Sequence, residues 1–421
     1  MFKQCLLAVF SLLAICTTQV SARTYKVLFI GNSYCAVNDL PGMLRDMSNS
    51  MGDSMQVTSV TPGGYTLNGH WTNTASLAAI ATPGWDFVII QAQSQEPSFS
   101  PGQVAANTMP YAKSLDSFVK ASNSCAEVLY YMTWGRKYGD PVNCPNYSVL
   151  CTYDGMQTRL RDSYVQMAND NNSSVCPAGQ VWRSIRQQDS TIELYQSDLS
   201  HPSVTGTYVV ACAFYTSIYH KALSASSFVP SGVTAANATL IRNTAYAIVM
   251  DSIETWQGSG SIPLAKFSAT PTGLTANITN SSKRNNSCDW YWGDATSTTN
   301  APQAALNHNY VTAGTYTINM VASSACKYDS AKAVVEVVVP NGITNVKDAT
   351  APIISAGTNQ IICNLQQASD IVEVVNANGQ IVFTSKQVSA GTTLSIPCVS
   401  GLYIVRSLQS GRLLQNKVVV P

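Results

Sequence analysis

The chain has 421 residues, too many for one ordinary hydrophobic core, so two or three domains are expected. With 24 basic against 23 acidic residues, a formal charge of +1 and 11% charged residues, it lacks the field that draws nucleic acid or anionic membranes. An uncharged partner is expected.

The chain opens as an export signal does. Lys3 is followed by a short apolar run, Cys5 to Ile15, and then by the small residues Val20-Ser21-Ala22, which predict a signal peptide over 1–22 cleaved after Ala22. The run is shorter than the roughly 20 residues that span a bilayer, so no stable membrane span is expected. Removing Cys5 and Cys16 with the leader leaves ten of the twelve cysteines. Each expected domain holds an even number, which predicts disulfides in an oxidising compartment. Cys144 and Cys151 are placed to close a short loop, and the remaining connectivity is open. No CxxC pair or His/Cys cluster has zinc spacing, so no metal site is expected.

From residue 23 to 258 short runs rich in β-formers alternate with helical stretches. Lys26–Ile30, Met55–Val60, Asp86–Gln91 and Glu127–Met132 read as strands. Pro41–Met51, Gly102–Ser122, Met156–Asn169 and Thr205–His220 read as helices. That alternation predicts an α/β domain, a parallel sheet covered by helices on both faces. The segment Gln257 to Pro263, rich in Gly and Ser, is a linker by composition. Beyond it come short alternating strands and turns, which predict two small all-β sandwich domains over 264–340 and 345–421.

In an open parallel sheet, chemistry gathers at the carboxyl ends of the strands. The first strand runs into Gly31-Asn32-Ser33-Tyr34, where a serine would be exposed beside backbone N–H groups able to face an oxyanion. An isolated G-N-S turn serves equally well as a helix cap. A serine nucleophile also needs a base, and the chain has four histidines. His308 falls in a β domain, His220 near the end of an apolar helix, and His70 in a loop or early helix. His201 stands in Asp198-Leu199-Ser200-His201-Pro202, where an aspartate three residues ahead can fold back and orient the ring. Alone, this spacing is also that of a capped turn. Cys35 is a rival nucleophile in principle, but is expected to be bridged.

Together these blocks resemble the SGNH (GDSL-like) hydrolase superfamily, a three-layer α/β/α fold. Gly31-Asn32-Ser33 matches its nucleophile block in G-N-S form, Gly64 its glycine block, and Asp198-Leu199-Ser200-His201-Pro202 its Asp-x-x-His block. Where the family has Gly-x-Asn-Asp, this chain reads Gln93-Ser94-Gln95-Glu96-Pro97, which puts Gln95 on the asparagine position. The resemblance implies a triad of Ser33, His201 and Asp198, and an oxyanion hole formed by the Ser33 N–H, the Gly64 N–H and the Gln95 amide. Tyr65, Trp71, Trp134, Tyr164 and Tyr195 are possible sugar-stacking residues.

Cys288-Asp289-Trp290-Tyr291-Trp292-Gly293-Asp294, Asn307-His308-Asn309-Tyr310 and Gly314-Thr315-Tyr316-Thr317-Ile318 resemble a PKD repeat, which implies structural roles for Asp294 and His308. Val372 to Val382, Ser400 to Val405 and Lys417 to Val419 resemble a type IX secretion C-terminal sorting domain. The expectation is a monomeric secreted or cell-surface serine esterase removing acyl groups, acetyl above all, from carbohydrate. Export would use the outer-membrane secretion machinery. The alternatives are a lipid or aryl ester hydrolase, and a non-catalytic glycan-binding adhesin.

Overall fold

A computed structural model describes residues 24–301, 306–339 and 351–421. The expected leader and its cleavage site lie outside the described residues. The chain divides into two compact units. The first runs to Thr270 and takes in Ala276–His308 and Thr315–Glu336, and the second comprises Pro271–Thr275, Asn309–Gly314 and Val337–Pro421.

The site is positioned by a five-stranded parallel sheet. Its strands are β1 (Thr24–Ile30), β2 (Ser54–Val60), β3 (Phe87–Ile90), β4 (Glu127–Tyr131) and β5 (Ser174–Cys176), in the order β2-β1-β3-β4-β5. Both faces are buried, so the inner strands are unbroken apolar runs rather than alternating ones. Side chains still alternate between faces. Val27, Phe29, Phe87, Ile89, Leu129 and Tyr131 pack with the helices Leu40–Ser50, Ala178–Gln188, Val204–Tyr219 and Ala235–Met250. Leu28, Ile30, Val88, Ile90, Val128 and Tyr130 pack with Thr74–Ala81, Met109–Ser122 and Tyr153–Asn171. The result is a three-layer α/β/α arrangement. Because β1 lies between β2 and β3, the loops leaving β1 and β3 part at the carboxyl edge, the place where such sheets form a crevice.

After this sheet the chain is all β. Residues 267–337 form antiparallel sheets of three and four strands, and residues 353–420 form another pair of three and four. In the later pair the inward residues Ile361, Val372, Val374, Ile396, Val405 and Val418 make the core.

The even-parity reading of the cysteines is corrected. Cys144 and Cys151 are bonded, but Cys125 pairs with Cys326, so one bridge leaves the α/β segment and ends in the following β segment. Cys35, Cys176, Cys212, Cys288, Cys363 and Cys398 are free thiols, and all but Cys398 are buried. Cys35 is therefore not bridged. Buried cysteine behaves as a small hydrophobe, and Cys35 packs in the core between β1 and its covering helices. No helix of the described residues is long and apolar enough to cross a membrane.

Candidate active site

Strand β1 ends at Ile30, and the next residues make a turn that Gly31 permits. A Cβ there would meet Cys35 Sγ at 2.6 Å and Gln91 Oε1 at 2.8 Å. Gln91, fully buried at the end of β3, accepts from the Asn32 N–H at 2.9 Å and gives its own amide N–H to the Ala92 carbonyl at 2.7 Å. Asn32 then caps the one-turn helix Ser33–Ala36 by accepting from the Tyr34 N–H at 3.1 Å. Ser33 occupies the first position of that helix, where N–H groups have no intrahelical partner. The sequence predicts a helix from Pro41 onward. Asp39 does cap the longer helix Leu40–Ser50, but the serine already opens a turn of its own.

The second loop is tied to this turn. Asn32 Nδ2 donates to the Tyr65 carbonyl at 3.1 Å, and Gly64 holds φ +68 with open space where a side chain would stand, a conformation that glycine adopts without penalty. His70, fully buried in the helix Leu67–Thr72, donates from Nε2 to the Gly31 carbonyl at 2.8 Å and meets Ser76 Oγ through Nδ1 at 2.8 Å. It supports the turn. Burial lowers its pKa, which the Gly31 carbonyl only partly offsets.

His201 lies in the loop before the helix Val204–Tyr219. Its Nε2 stands 2.9 Å from Ser33 Oγ, and its Nδ1 is hydrogen-bonded to Asp198 Oδ2. The other Asp198 oxygen accepts from the Ser200 and His201 N–H groups at 3.1 and 3.0 Å. The turn that achieves this holds Leu199 at φ +62, an uncommon conformation for a branched residue. Burial works to raise the Asp198 carboxyl, but the bonds from His201 and the Ser200 N–H outweigh it and hold the group below the usual carboxylate range. Asp198 is thus an anion at neutral pH, placed to keep the Nδ1 proton and leave Nε2 facing the serine.

Aromatic packing backs this loop. Tyr34 stacks on Trp134 with centroids 4.7 Å apart, and Trp134 stacks on Trp182 at 3.9 Å. Tyr34 Oη and Ser200 Oγ share a hydrogen bond of 2.6 Å, and Trp134 Nε1 donates to the Ser200 carbonyl at 3.1 Å. Burial pushes the Tyr34 hydroxyl up to about 12, so it is un-ionised. Trp134, Tyr164 and Tyr195 are core residues rather than the exposed sugar platforms considered from sequence. Trp71 is partly exposed.

Gln95 follows β3, but its Nε2 donates to Asp140 Oδ2 at 2.7 Å. Gln93 braces the same loop by accepting from the Gln95 and Glu96 N–H groups at 2.8 and 3.2 Å. Asp140 was not singled out by sequence. Burial would raise its carboxyl, yet hydrogen bonds from Asn143 and Gln95 hold it below the usual range. Cys35, as rival nucleophile, is fully buried and its thiol is driven far above the ordinary value by burial, so the reactive thiolate is disfavoured. Among the described residues no group of three His, Cys, Asp or Glu is placed to hold a metal ion.

Away from this cluster, His220 caps the helix Val204–Tyr219 and pairs with Asp329 at 3.0 Å. His308 pairs with Asp294 at 2.8 Å and stacks on Trp292.

Residues 64–248 match the family model for a domain of unknown function, DUF4886. Among curated proteins none is significantly similar in sequence. Among solved structures, a DUF4886 family protein from Bacteroides uniformis is 19% identical with TM-score 0.48, covering 54% of this chain and 96% of its own. A candidate SGNH hydrolase from Slackia heliotrinireducens is 25% identical with TM-score 0.38, covering 46% of this chain and 98% of its own. The PKD1 domain of Vibrio anguillarum Epp is 23% identical with TM-score 0.17, covering 19% of this chain and 96% of its own.

Proposed function

We propose that the chain is a serine ester hydrolase with Ser33 as nucleophile, His201 as general base and Asp198 as the group that orients it. The observation that carries this reading is the chain of contacts from Asp198 Oδ2 through His201 Nδ1 to His201 Nε2 and Ser33 Oγ, the last 2.9 Å. An unassisted serine is a weak nucleophile, and a base within hydrogen-bond reach that is itself oriented by a third group is what acyl transfer needs.

In the first half-reaction Ser33 Oγ bonds to the ester carbonyl carbon as His201 Nε2 takes its proton, and the imidazolium then returns that proton to the departing alcohol. In the second half, His201 takes a proton from water as the water oxygen attacks the acyl carbon. Collapse breaks the bond to Ser33 Oγ, which recovers its proton. The oxyanion of each intermediate faces the Ser33 N–H at the helix start and the Gly64 N–H, whose loop is held to the nucleophile turn by Asn32. Gln95 is the third donor. Its Nε2 carries two hydrogens, of which Asp140 takes one and the substrate would take the other.

The substrate class is an acylated carbohydrate, acetyl esters foremost, and the protein acts outside the cell after export through a signal peptide and a C-terminal sorting domain. The disulfides and the β modules that follow the α/β segment support export. Release of p-nitrophenol from p-nitrophenyl acetate by the purified protein and by Ser33→Ala tests the enzymatic reading. Loss of about a thousandfold or more in the variant is expected, and equal rates would reject it. Gln95 in place of the asparagine, with one of its two amide hydrogens held by Asp140, is what favours the second reading, a glycan-binding adhesin. Binding of acetylated xylan without turnover is its signature.

A further inference from the structure

The loop after β4 carries a cation that the reaction above does not use. Trp134 Nε1 donates to Ser200, the Lys137 N–H donates to the Leu199 carbonyl at 2.9 Å, and Asp140 accepts from Gln95. Residues 134–140 thus span from the His201 loop to the loop after β3, along the carboxyl edge where Ser33 sits. Arg136 lies in the middle of this span, half-buried. Its Nε is buried and makes no hydrogen bond among the described residues.

The neighbouring cations are occupied. Lys137 pairs with Glu193, and Arg186 donates to Tyr195 and to the Lys137 carbonyl. Two acids on the loops it lies between are also taken. Asp140 Oδ1 accepts from Val142 and Asn143 N–H groups, its Oδ2 from Asn143 and Gln95, and Asp198 is saturated by its own turn. The positive charge of Arg136 is nonetheless felt at the site, for it pulls down both the Asp140 carboxyl and the hydroxyl of Tyr34, the residue after Ser33. A partly buried guanidinium without an anion has lost solvation that no protein group returns, and its planar fork is the shape that takes a carboxylate. The near-zero net charge of the whole chain does not bear on this local field.

We propose that Arg136 binds a carboxylate carried by the sugar of the substrate, so that the preferred esters are those of acidic saccharides, uronates, rather than of neutral ones. The inference rests on the esterase reading above and narrows it. The wild-type protein, Arg136→Gln and Arg136→Lys are to be assayed on partially O-acetylated methyl galacturonoside and methyl galactoside, which share a ring and differ in the carboxylate. The wild type is expected to favour the acidic sugar, less so as salt is added. The ratio of kcat/KM between acidic and neutral sugars should fall about ten- to a hundredfold in Arg136→Gln and less in Arg136→Lys. A wild type that cleaves both sugars equally, or a ratio unchanged in a folded Arg136→Gln, overturns the proposal. If no variant or wild type hydrolyses any ester, the esterase reading has failed. Calorimetric binding of unacetylated methyl galacturonoside then decides on its own: weaker binding to Arg136→Gln supports the carboxylate site, and equal or absent binding overturns it.

Discussion

Asn32 shows how one side chain sets the geometry on both sides of the proposed nucleophile, Ser33. Its carbonyl caps the helix that Ser33 opens, while its amide nitrogen holds the Tyr65 carbonyl and with it the Gly64 loop. Aspartate, the residue usual in that block of the resembled family, could cap the helix but has no hydrogen to give Tyr65, and its charge would repel that carbonyl. Asn32→Asp should therefore fold normally and lose about ten- to a hundredfold in kcat/KM on p-nitrophenyl acetate, the worth of one buried polar contact. An unchanged rate would show that the Gly64 loop does not depend on this bond. Ser33, Asp198 and His201 could be named from sequence because a strand-to-turn junction and a three-residue spacing are local features. Gln91 could not, because its bond to Asn32 joins positions 59 residues apart. The same kind of long-range pairing, from Gln95 to Asp140, hid Asp140 from sequence.

Among elements, the sheet was the most legible, since its three inner strands carry apolar runs bounded by turn residues, while the edge strand β2 shows through its β-formers alone. Strand β5 has only three residues, too few to show a period. The helices Ala178–Gln188 and Ala235–Met250 do carry readable stripes, Val181, Trp182 and Ile185 in one and Ala238, Ile241, Ala245 and Val249 in the other, and the spacing rule would have found them. His70 joins three elements: its own helix, the helix Thr74–Ala81 through Ser76, and the end of β1 through Gly31. Its folded pKa lies below the unfolded value, so the unfolded chain binds the proton more readily. The stability it contributes is present in full above about pH 6.5 and is lost as pH falls toward the folded value. The thermal midpoint should drop between neutral pH and pH values near five more steeply in wild type than in His70→Gln, whose side chain does not titrate. Parallel curves would remove His70 from the acid response.

At the scale of the whole molecule, the Cys125–Cys326 bridge closes a loop with a sequence separation of 201 and joins the α/β segment to the β segment that follows it. Domain parity in the cysteine count did not reveal this, because the pairing is decided by which surfaces meet and not by how many thiols each domain holds. The buried free cysteines packed in the core underline the point. Cross-linking so long a loop restricts the unfolded chain, an effect of about 2–5 kcal/mol. Cys125→Ser with Cys326→Ser should lower the denaturation midpoint accordingly, whereas removing the short Cys144–Cys151 bridge should lower it less. An equal response to both would contradict the loop-length argument. At the carboxyl edge of the parallel sheet Ser33, His201 and Asp198 stand in hydrogen-bond contact, with an aromatic stack beside the loop that carries the histidine.

The central claim is that Ser33 is activated by His201. Mass spectrometry after treatment with an alkyl fluorophosphonate tests it most directly, because the reagent traps only a serine with a working base and oxyanion site. The account predicts one adduct per chain, on the peptide containing Ser33, absent in Ser33→Ala and formed far more slowly in His201→Ala. No adduct in a folded, hydrolytically active wild type, or an adduct on another residue, would contradict it.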